Sequence, residues 1–77
     1  MENIIITREF TSDDRNPNVN GNQRVLHVTS NGDKVRMIVS GVQGSGLNTR
    51  IVTLSDVTID RATWDEHEAI ILASLGA

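Results

Sequence analysis

Hydrophobic and polar positions alternate through most of the first sixty residues, as in half-buried β-strands, and then change to a helical spacing. In residues 3–10 the alternation assigns Ile4, Ile6 and Phe10 to one face of a strand. The intervening Ile5 falls on the opposite face. These residues are rich in β-branched side chains, which pack well on a pleated surface, so we predict a first strand here.

Two further strand-like runs flank Asn31-Gly32, the strongest short hairpin signal in the chain. A two-residue turn of type I′ at Asn31 and Gly32 fixes the register. One face then becomes nearly all apolar, through the pairs Val28–Val35, Leu26–Met37 and Arg24–Val39. The other face is polar near the turn and apolar at its far end, through the pairs Thr29–Lys34, His27–Arg36 and Val25–Ile38.

Two polar segments connect the predicted strands. Residues 11–23 concentrate Asp, Asn, Pro and Gly, which favour turns, and we predict an exposed Asn-rich loop. Residues 41–49 form a Gly-rich hairpin loop. The run that follows, residues 50–59, alternates again and predicts another strand.

The last predicted element is a helix over residues 61–75. Thr63 with Glu66 three positions later matches a capping box, and Gly76 suits the C-terminal end. Its apolar stripe consists of Trp64, Ile71, Leu72 and Leu75. We therefore predict one domain, residues 1–77, of the α+β class: an antiparallel sheet of four to five strands followed by one C-terminal helix packed on one face.

Composition adds a stability argument. A chain of 77 residues buries only about 60–65% of its unfolded surface, so its stability margin is small. The chain has no cysteine, which excludes disulfides and thiolate zinc sites, so we expect oligomerisation to stabilise it, as a homodimer.

No apolar run is long enough to span a membrane, and Met1 to Asn3 lack the basic start of a secretion signal. We expect a cytoplasmic protein.

The three glycines Gly41, Gly44 and Gly46 raise the question of a phosphate site. They spell G-x-x-G-x-G, whereas a dinucleotide fingerprint reads G-x-G-x-x-G and opens a helix. A strand follows here instead, and no Lys-Ser or Lys-Thr pair completes a P-loop. We predict no nucleotide cofactor and keep Gly44 and Gly46 as candidates for a loop that contacts a partner.

The Asn-rich loop and the two histidines carry residue types that can bind metal ions. Asn16, Asn18 and Asn20 have the spacing of a calcium loop, but the twelfth position is His27 and not a bidentate carboxylate. His27 and His67 lie on different predicted elements without metal-ligand spacing. We predict no metal, no catalytic residue and no enzyme, and keep the three asparagines as candidate binding-loop residues.

These patterns favour a small non-enzymatic protein-protein interaction module. The candidate interface residues are the surplus apolar and small positions Val25, Ile38, Ala69, Ile70 and Ala73. Brevity and the lack of cysteine are compatible with an accessory protein of a virus or mobile element that inhibits a host system or docks on an assembly partner. Its location would then be the host cytoplasm.

The first alternative is binding of single-stranded nucleic acid by a basic sheet face. The candidate residues are His27, Lys34, Arg36 and Arg50. The element order is similar to that of the transcriptional coactivator family that binds single strands as a dimer, which implies the same partner by analogy of architecture. A net charge of −3 and only two aromatic residues weigh against this alternative.

The second alternative is mimicry of nucleic acid. The acidic side chains at the start of the predicted helix could imitate a phosphate array: Asp60, Asp65, Glu66 and Glu68. Capping and solvation of the helix explain the same residues more simply.

Overall fold

Four antiparallel strands in sequence order form one open sheet, and a single helix follows them. The computed structural model describes residues 2–75, and side chains from residue 3 onward. The elements are β1 (Glu2–Thr11), β2 (Gln23–Asn31), β3 (Lys34–Gln43), β4 (Arg50–Asp60) and α1 (Arg61–Ser74), with a short 3₁₀ turn at Gly46–Asn48. The predicted α+β class is confirmed, with a sheet of four strands.

The helix covers one face of the sheet. This helix-covered face carries the buried core: Leu26, Val28, Val35, Met37 and Val39 from β2 and β3, and Trp64 from α1. Ile71, Leu72 and Leu75 pack against the same core, which confirms the predicted apolar stripe of α1. The opposite side of the sheet, here called the open face, carries the alternate residues of each strand.

The β2–β3 hairpin turns one residue later than predicted, at Gly32-Asp33. Asn31 belongs to β2 and keeps a negative φ, whereas Gly32 has a φ of 65°. A type II′ turn requires positive φ only at its first central position, which Gly32 occupies. The predicted pairs are therefore wrong, and the observed ones are Leu26–Val39, Val28–Met37, Ser30–Val35, His27–Ile38, Thr29–Arg36 and Val25–Ser40. The partners move by two positions, so every side chain keeps its predicted face.

Both edge strands contain an irregularity that alternation did not predict. In β1 the register shifts between Ile4 and Ile6, so Ile5 packs on the core together with Ile6. Ile4 then falls on the open face, where 68% of it is exposed, which corrects the predicted faces of this strand. In β4 the extra residue is Leu54, which also contacts the core. Such bulges twist an edge and disfavour pairing with other chains.

The helix begins at Arg61 with Asp60 as its N-cap residue, so the predicted cap at Thr63 is wrong. The Asp60 side chain does not cap the helix. The backbone N–H of Arg61 instead donates to the carbonyl of Asp33 in the β2–β3 turn, at 2.7 Å. The start of α1 is thereby tied to the hairpin it covers. The predicted terminator Gly76 lies outside the described residues.

A buried arginine organises the loop before β2. Arg24 is 2% exposed, and its guanidinium donates to the carbonyls of Gly21 and Gln23 at 3.1 Å and of Asp14 at 3.4 Å. The carboxylate of Asp14 lies 3.6 Å from the same group. Because several acceptors surround it, the buried charge is compensated.

The loop itself spans residues 12–22, and the prediction that it is an exposed loop is wrong at Val19. Val19 is only 8% exposed and packs against Gly41 of β3. A Cβ added to Gly41 would lie 2.7 Å from Cγ1 of Val19 and 3.3 Å from Cδ1 of Leu54. The glycine therefore provides space for the loop to close over the end of the sheet.

Gly41→Ala is expected to destabilise the fold by about 1–3 kcal/mol, because the β-branched Val19 has little freedom to move away. In a Val19→Ala background, Gly41→Ala should lower the free energy of unfolding by clearly less, with a remainder from Leu54 and from the Cβ of residue 19. A double-mutant cycle by urea denaturation measures both values. Equal costs of Gly41→Ala in the two backgrounds would contradict the contact.

Candidate functional site

The open face carries a group of large apolar side chains that α1 does not cover. They are Ile4 on β1, Val25 on β2, Ile38 and Val42 on β3, and Ile51 on β4. Ile51 is 77% exposed and Val42 36%, while Val25 and Ile38 are half-buried. Val25, Val42 and Ile51 lie toward the 44–49 loop, and Ile38 lies at the middle of β3 beside Asp56. We call these four side chains the apolar patch.

The apolar patch contains a shallow groove of about 150 Å³. Val42 and Ile51 pair directly across β3 and β4 and form one wall. The full lining is Gln23, Val25, Ser40, Gly41, Val42 and Ile51. This arrangement suits an apolar side chain better than a charged ligand.

Two ion pairs lie on the open face between Ile38 and the β2–β3 turn. Arg36 donates from Nε and Nη2 to the two carboxylate oxygens of Asp56, at 2.9 and 2.5 Å. Lys34 Nζ lies 2.5 Å from Oδ1 of Asp60. The hydrogen bond from Arg36 lowers the pKa of Asp56, and the hydrogen bond to Asp60 raises the pKa of Lys34. Each cation is therefore matched by a carboxylate of the neighbouring strand.

The remaining residues of the predicted nucleic-acid face are separated. His27 lies on the open face, where its Nδ1 and the hydroxyl of Thr7 share a hydrogen bond of 3.1 Å. Arg50 precedes Ile51 in β4, so strand alternation directs it to the opposite face. Its Nε donates to Oε1 of Gln43 at 2.8 Å. The structure thus brings together His27, Lys34 and Arg36 but not Arg50.

The predicted protein-interface residues form two surfaces. Val25 and Ile38 lie on the open face. Ala69, Ile70 and Ala73 are exposed on α1, which packs against the other face, and Ile70 is 70% exposed. These two surfaces are on opposite sides of the molecule and cannot contact one partner surface together.

The side chains of two candidate asparagines, Asn16 and Asn20, make hydrogen bonds within the chain, and Asn18 is exposed. Oδ1 of Asn16 accepts from the backbone N–H of Asn18 at 2.9 Å, an Asx turn. The backbone N–H of Asn20 donates to the carbonyl of Val42 at 2.7 Å, and its side-chain amide donates to the carbonyl of Gly44. Asn20 therefore joins the two loops at one end of the sheet.

Backbone geometry explains the glycines of the 44–49 loop. Gly44 has a φ of 88°, and a Cβ there would lie 2.3 Å from the carbonyl oxygen of Asn48. Gly46 has a φ of 58° at the start of the 3₁₀ turn. Both positions favour glycine for conformational reasons alone.

The acidic residues proposed as a phosphate mimic are partly paired. Asp60 pairs with Lys34, and Asp65 accepts a hydrogen bond from Nε of Arg61 at 3.1 Å. Glu66 and Glu68 are exposed on α1. Within residues 2–75 no group of three or more His, Asp or Glu side chains could hold a metal ion. In the same part of the chain no helix has the length and apolarity to cross a membrane.

Sequence reasoning missed Ile4, Val42 and Ile51 as members of the open face. The alternation of residues 50–59 carried a partial signal, because it places Ile51 and Thr53 on one side of β4. Ile4 had no such signal, since the bulge at Ile5 reverses its side.

Comparison with protein-family models, curated protein sequences and solved structures finds no match to this chain. The similarity in element order to the single-strand-binding coactivators stays a hypothesis.

Asp56→Asn is expected to lower the melting temperature slightly at neutral pH by removing the pair with Arg36. The pKa of Asp56 is lowered in the folded state, so its contribution is present above the ordinary value of 3.8 and is lost as the pH falls through the folded pKa. The difference in melting temperature between Asp56→Asn and wild type should therefore become smaller in strong acid. Thermal melts across acidic and neutral pH measure it.

Arg36→Gln removes the other half of the pair and should show the same convergence. A deficit of either variant that stays constant down to the lowest pH at which the protein folds would contradict the pairing.

Proposed function

We propose that this chain is a non-enzymatic protein-binding module that contacts its partner through the open face of its sheet. The observation that carries the proposal is the apolar patch, which leaves Ile51 77% exposed on a face that α1 does not cover. Contiguous exposed apolar surface on a small domain marks an interaction site.

The layout of the open face also fits a protein partner. The apolar patch offers a groove for an aliphatic side chain, and the pairs Arg36–Asp56 and Lys34–Asp60 adjoin it. Protein interfaces commonly combine an apolar centre with a polar rim. The paired charges can remain at the rim, where they keep contact with water and require little desolvation.

Two observations favour protein over nucleic acid. Phosphate binding depends on cations that give up mobile counterions, and both Lys34 and Arg36 already have a carboxylate at 2.5 Å. Stacking of bases depends on accessible aromatic rings, but Trp64 is 2% exposed and Phe10 packs against the core. The open face therefore lacks both features that stabilise single-strand binding, namely cations without a carboxylate partner and accessible aromatic rings.

We further propose a cytoplasmic location, on the ground that a chain of 77 residues without cysteine suits a reducing compartment. The role of an accessory protein that docks on or inhibits a larger assembly is compatible with one small binding face. We also propose homodimerisation, because a chain of this size without disulfides gains stability from association.

A matched pair of variants tests the proposed face. Ile51→Glu changes the apolar patch, and Ile70→Glu makes the same change on the exposed side of α1, where the isoleucine is 70% exposed. Wild type and both variants, shown by circular dichroism to be folded, are immobilised and exposed to the same cell extract. We expect protein binding to be lost with Ile51→Glu and kept with Ile70→Glu.

The opposite pattern, or identical binding by all three proteins, would contradict the proposed face. Nucleic acid is tested by anisotropy with a labelled single-stranded oligonucleotide at about 50 and 200 mM salt. We expect no saturable binding. Binding that weakens steeply with salt and is lost in Arg36→Gln would replace the proposal with the nucleic-acid alternative.

A further inference from the structure

We infer that the chain binds a small carboxylic acid with an apolar body, in a cavity where the C-terminal end of α1 meets the 12–22 loop. This site lies on the helix-covered face, so it is separate from the open face and does not rest on the proposed function. Three features of the cavity carry the inference: a buried arginine with an available donor, apolar walls, and hydroxyl groups beside that arginine.

The cavity has a volume of about 250 Å³. This is less than the roughly 300–1,000 Å³ of sites for drug-sized ligands, so it suits a smaller molecule. Three strands and the end of α1 supply its apolar walls, through Phe10 on β1, Val39 on β3, Leu54 on β4 and the C-cap residue Leu75. A short aliphatic or aromatic body can pack against these side chains.

Arg24 lines the same cavity with a side chain that is only 2% exposed. Its Nη1 and Nη2 donate to backbone carbonyls and hold the 12–22 loop. Its Nε–H has no acceptor among residues 2–75. Within the same residues no side-chain nitrogen or oxygen is both fully buried and without a partner, so Nε is reached from the cavity. A ligand oxygen can therefore accept this hydrogen bond.

The carboxylate of Asp14 is a poor partner for this guanidinium. Its Oδ2 lies 3.6 Å from Nη2 of Arg24, which is longer than a hydrogen bond, and its side chain is 61% exposed. Arginine and carboxylate groups frequently pair through two parallel N–H···O bonds, which are stronger. A ligand carboxylate can take this geometry on the Nε and Nη2 edge when the exposed Asp14 side chain turns toward water.

Two hydroxyl groups beside the arginine favour an oxygen ligand with a single charge. Ser12 and Ser55 both line the cavity. Oγ of Ser12 accepts from the backbone N–H of Asp14 at 3.0 Å, which leaves its hydroxyl hydrogen to donate to a ligand. The apolar walls offer no partner to a second charge, which would be desolvated against them. We therefore infer a monocarboxylate and not a phosphate or a dicarboxylate.

Other polar concavities of the described chain lack this combination. A surface depression of about 410 Å³ contains Arg15, but that arginine is exposed and competes with water. Another concavity contains Lys34 and Arg36, which are already paired with carboxylates.

Titration of hexanoate into the isotope-labelled full chain tests the inference by NMR, because the Nε–H of a buried arginine gives its own signal. We expect a saturable shift of the Arg24 signal, with a dissociation constant of about 1 mM or lower. Hexanamide, the neutral analogue of the same size, should bind at least about tenfold more weakly. Inorganic phosphate should not displace hexanoate.

Three variants locate the site, while Arg24 is kept because its Nη groups hold the loop. Ser55→Leu fills the cavity from β4 and should raise the dissociation constant of hexanoate at least about tenfold. Thr53→Leu is the matched control on the opposite face of β4 and should leave it within a factor of about two. Asp14→Asn removes the competing carboxylate and should lower it at least about threefold. Circular dichroism checks that each variant is folded.

Absence of a saturable Arg24 shift would overturn the inference. Equal binding of hexanoate and hexanamide, or binding that Ser55→Leu leaves unchanged, would overturn it as well. So would displacement of hexanoate by phosphate, or no gain in affinity with Asp14→Asn.

Hexanoate represents two sources of the same chemistry, a free acid and the C-terminal residue of a peptide. A tetrapeptide that ends in leucine, with a free or an amidated terminus, distinguishes them. Tighter binding of the free-terminus peptide than of hexanoate assigns the site to chain termini, and weaker binding assigns it to free acids. The amidated peptide should not bind in either case, and its binding would contradict the role of the carboxylate.

Discussion

Packing of one 14-residue helix against one face of a four-stranded sheet is the constraint on which the other features depend. Trp64 is 2% exposed and lies in the core formed by β2 and β3. Loss of a buried tryptophan typically costs about 3–5 kcal/mol, comparable with the whole stability of a small domain. Since this helix can cover only one face, the same packing that folds the domain leaves the other face accessible.

The polar segments that first suggest a binding site are used to close one end of this sheet. Arg24 binds the backbone of the 12–22 loop, Val19 packs on Gly41, and Asn20 joins this loop to the 44–49 loop. Their side-chain donors and glycines therefore serve the fold. The open face, which carries few unusual residues, is the stronger candidate for function because its apolar side chains have no structural role of comparable size.

Much of the architecture could be predicted from the sequence, because it depends on local periodicity. The α+β class, the apolar stripe around Trp64 and the faces of the central hairpin are examples. The position of the turn could not be predicted, because Gly32 takes a positive φ in both alternatives: as the second central residue of an Asn31-Gly32 turn or as the first of the observed Gly32-Asp33 turn. The bulge at Ile5 and the pairing of Arg36 with Asp56 could not be predicted either. They depend on contacts between strands, and alternation along one strand carries no information about such contacts.

The central claim is that the open face is the surface that contacts a partner protein, and methyl NMR spectra of the isotope-labelled chain test it most directly. The spectra are recorded before and after addition of unlabelled extract from the cells in which the protein acts. We predict that the methyl signals of Val25, Ile38, Val42 and Ile51 shift or broaden while those of Ile70 and Ala73 do not. Changes confined to Ile70 and Ala73, or no change with an extract from which the immobilised chain captures a protein, would contradict the account.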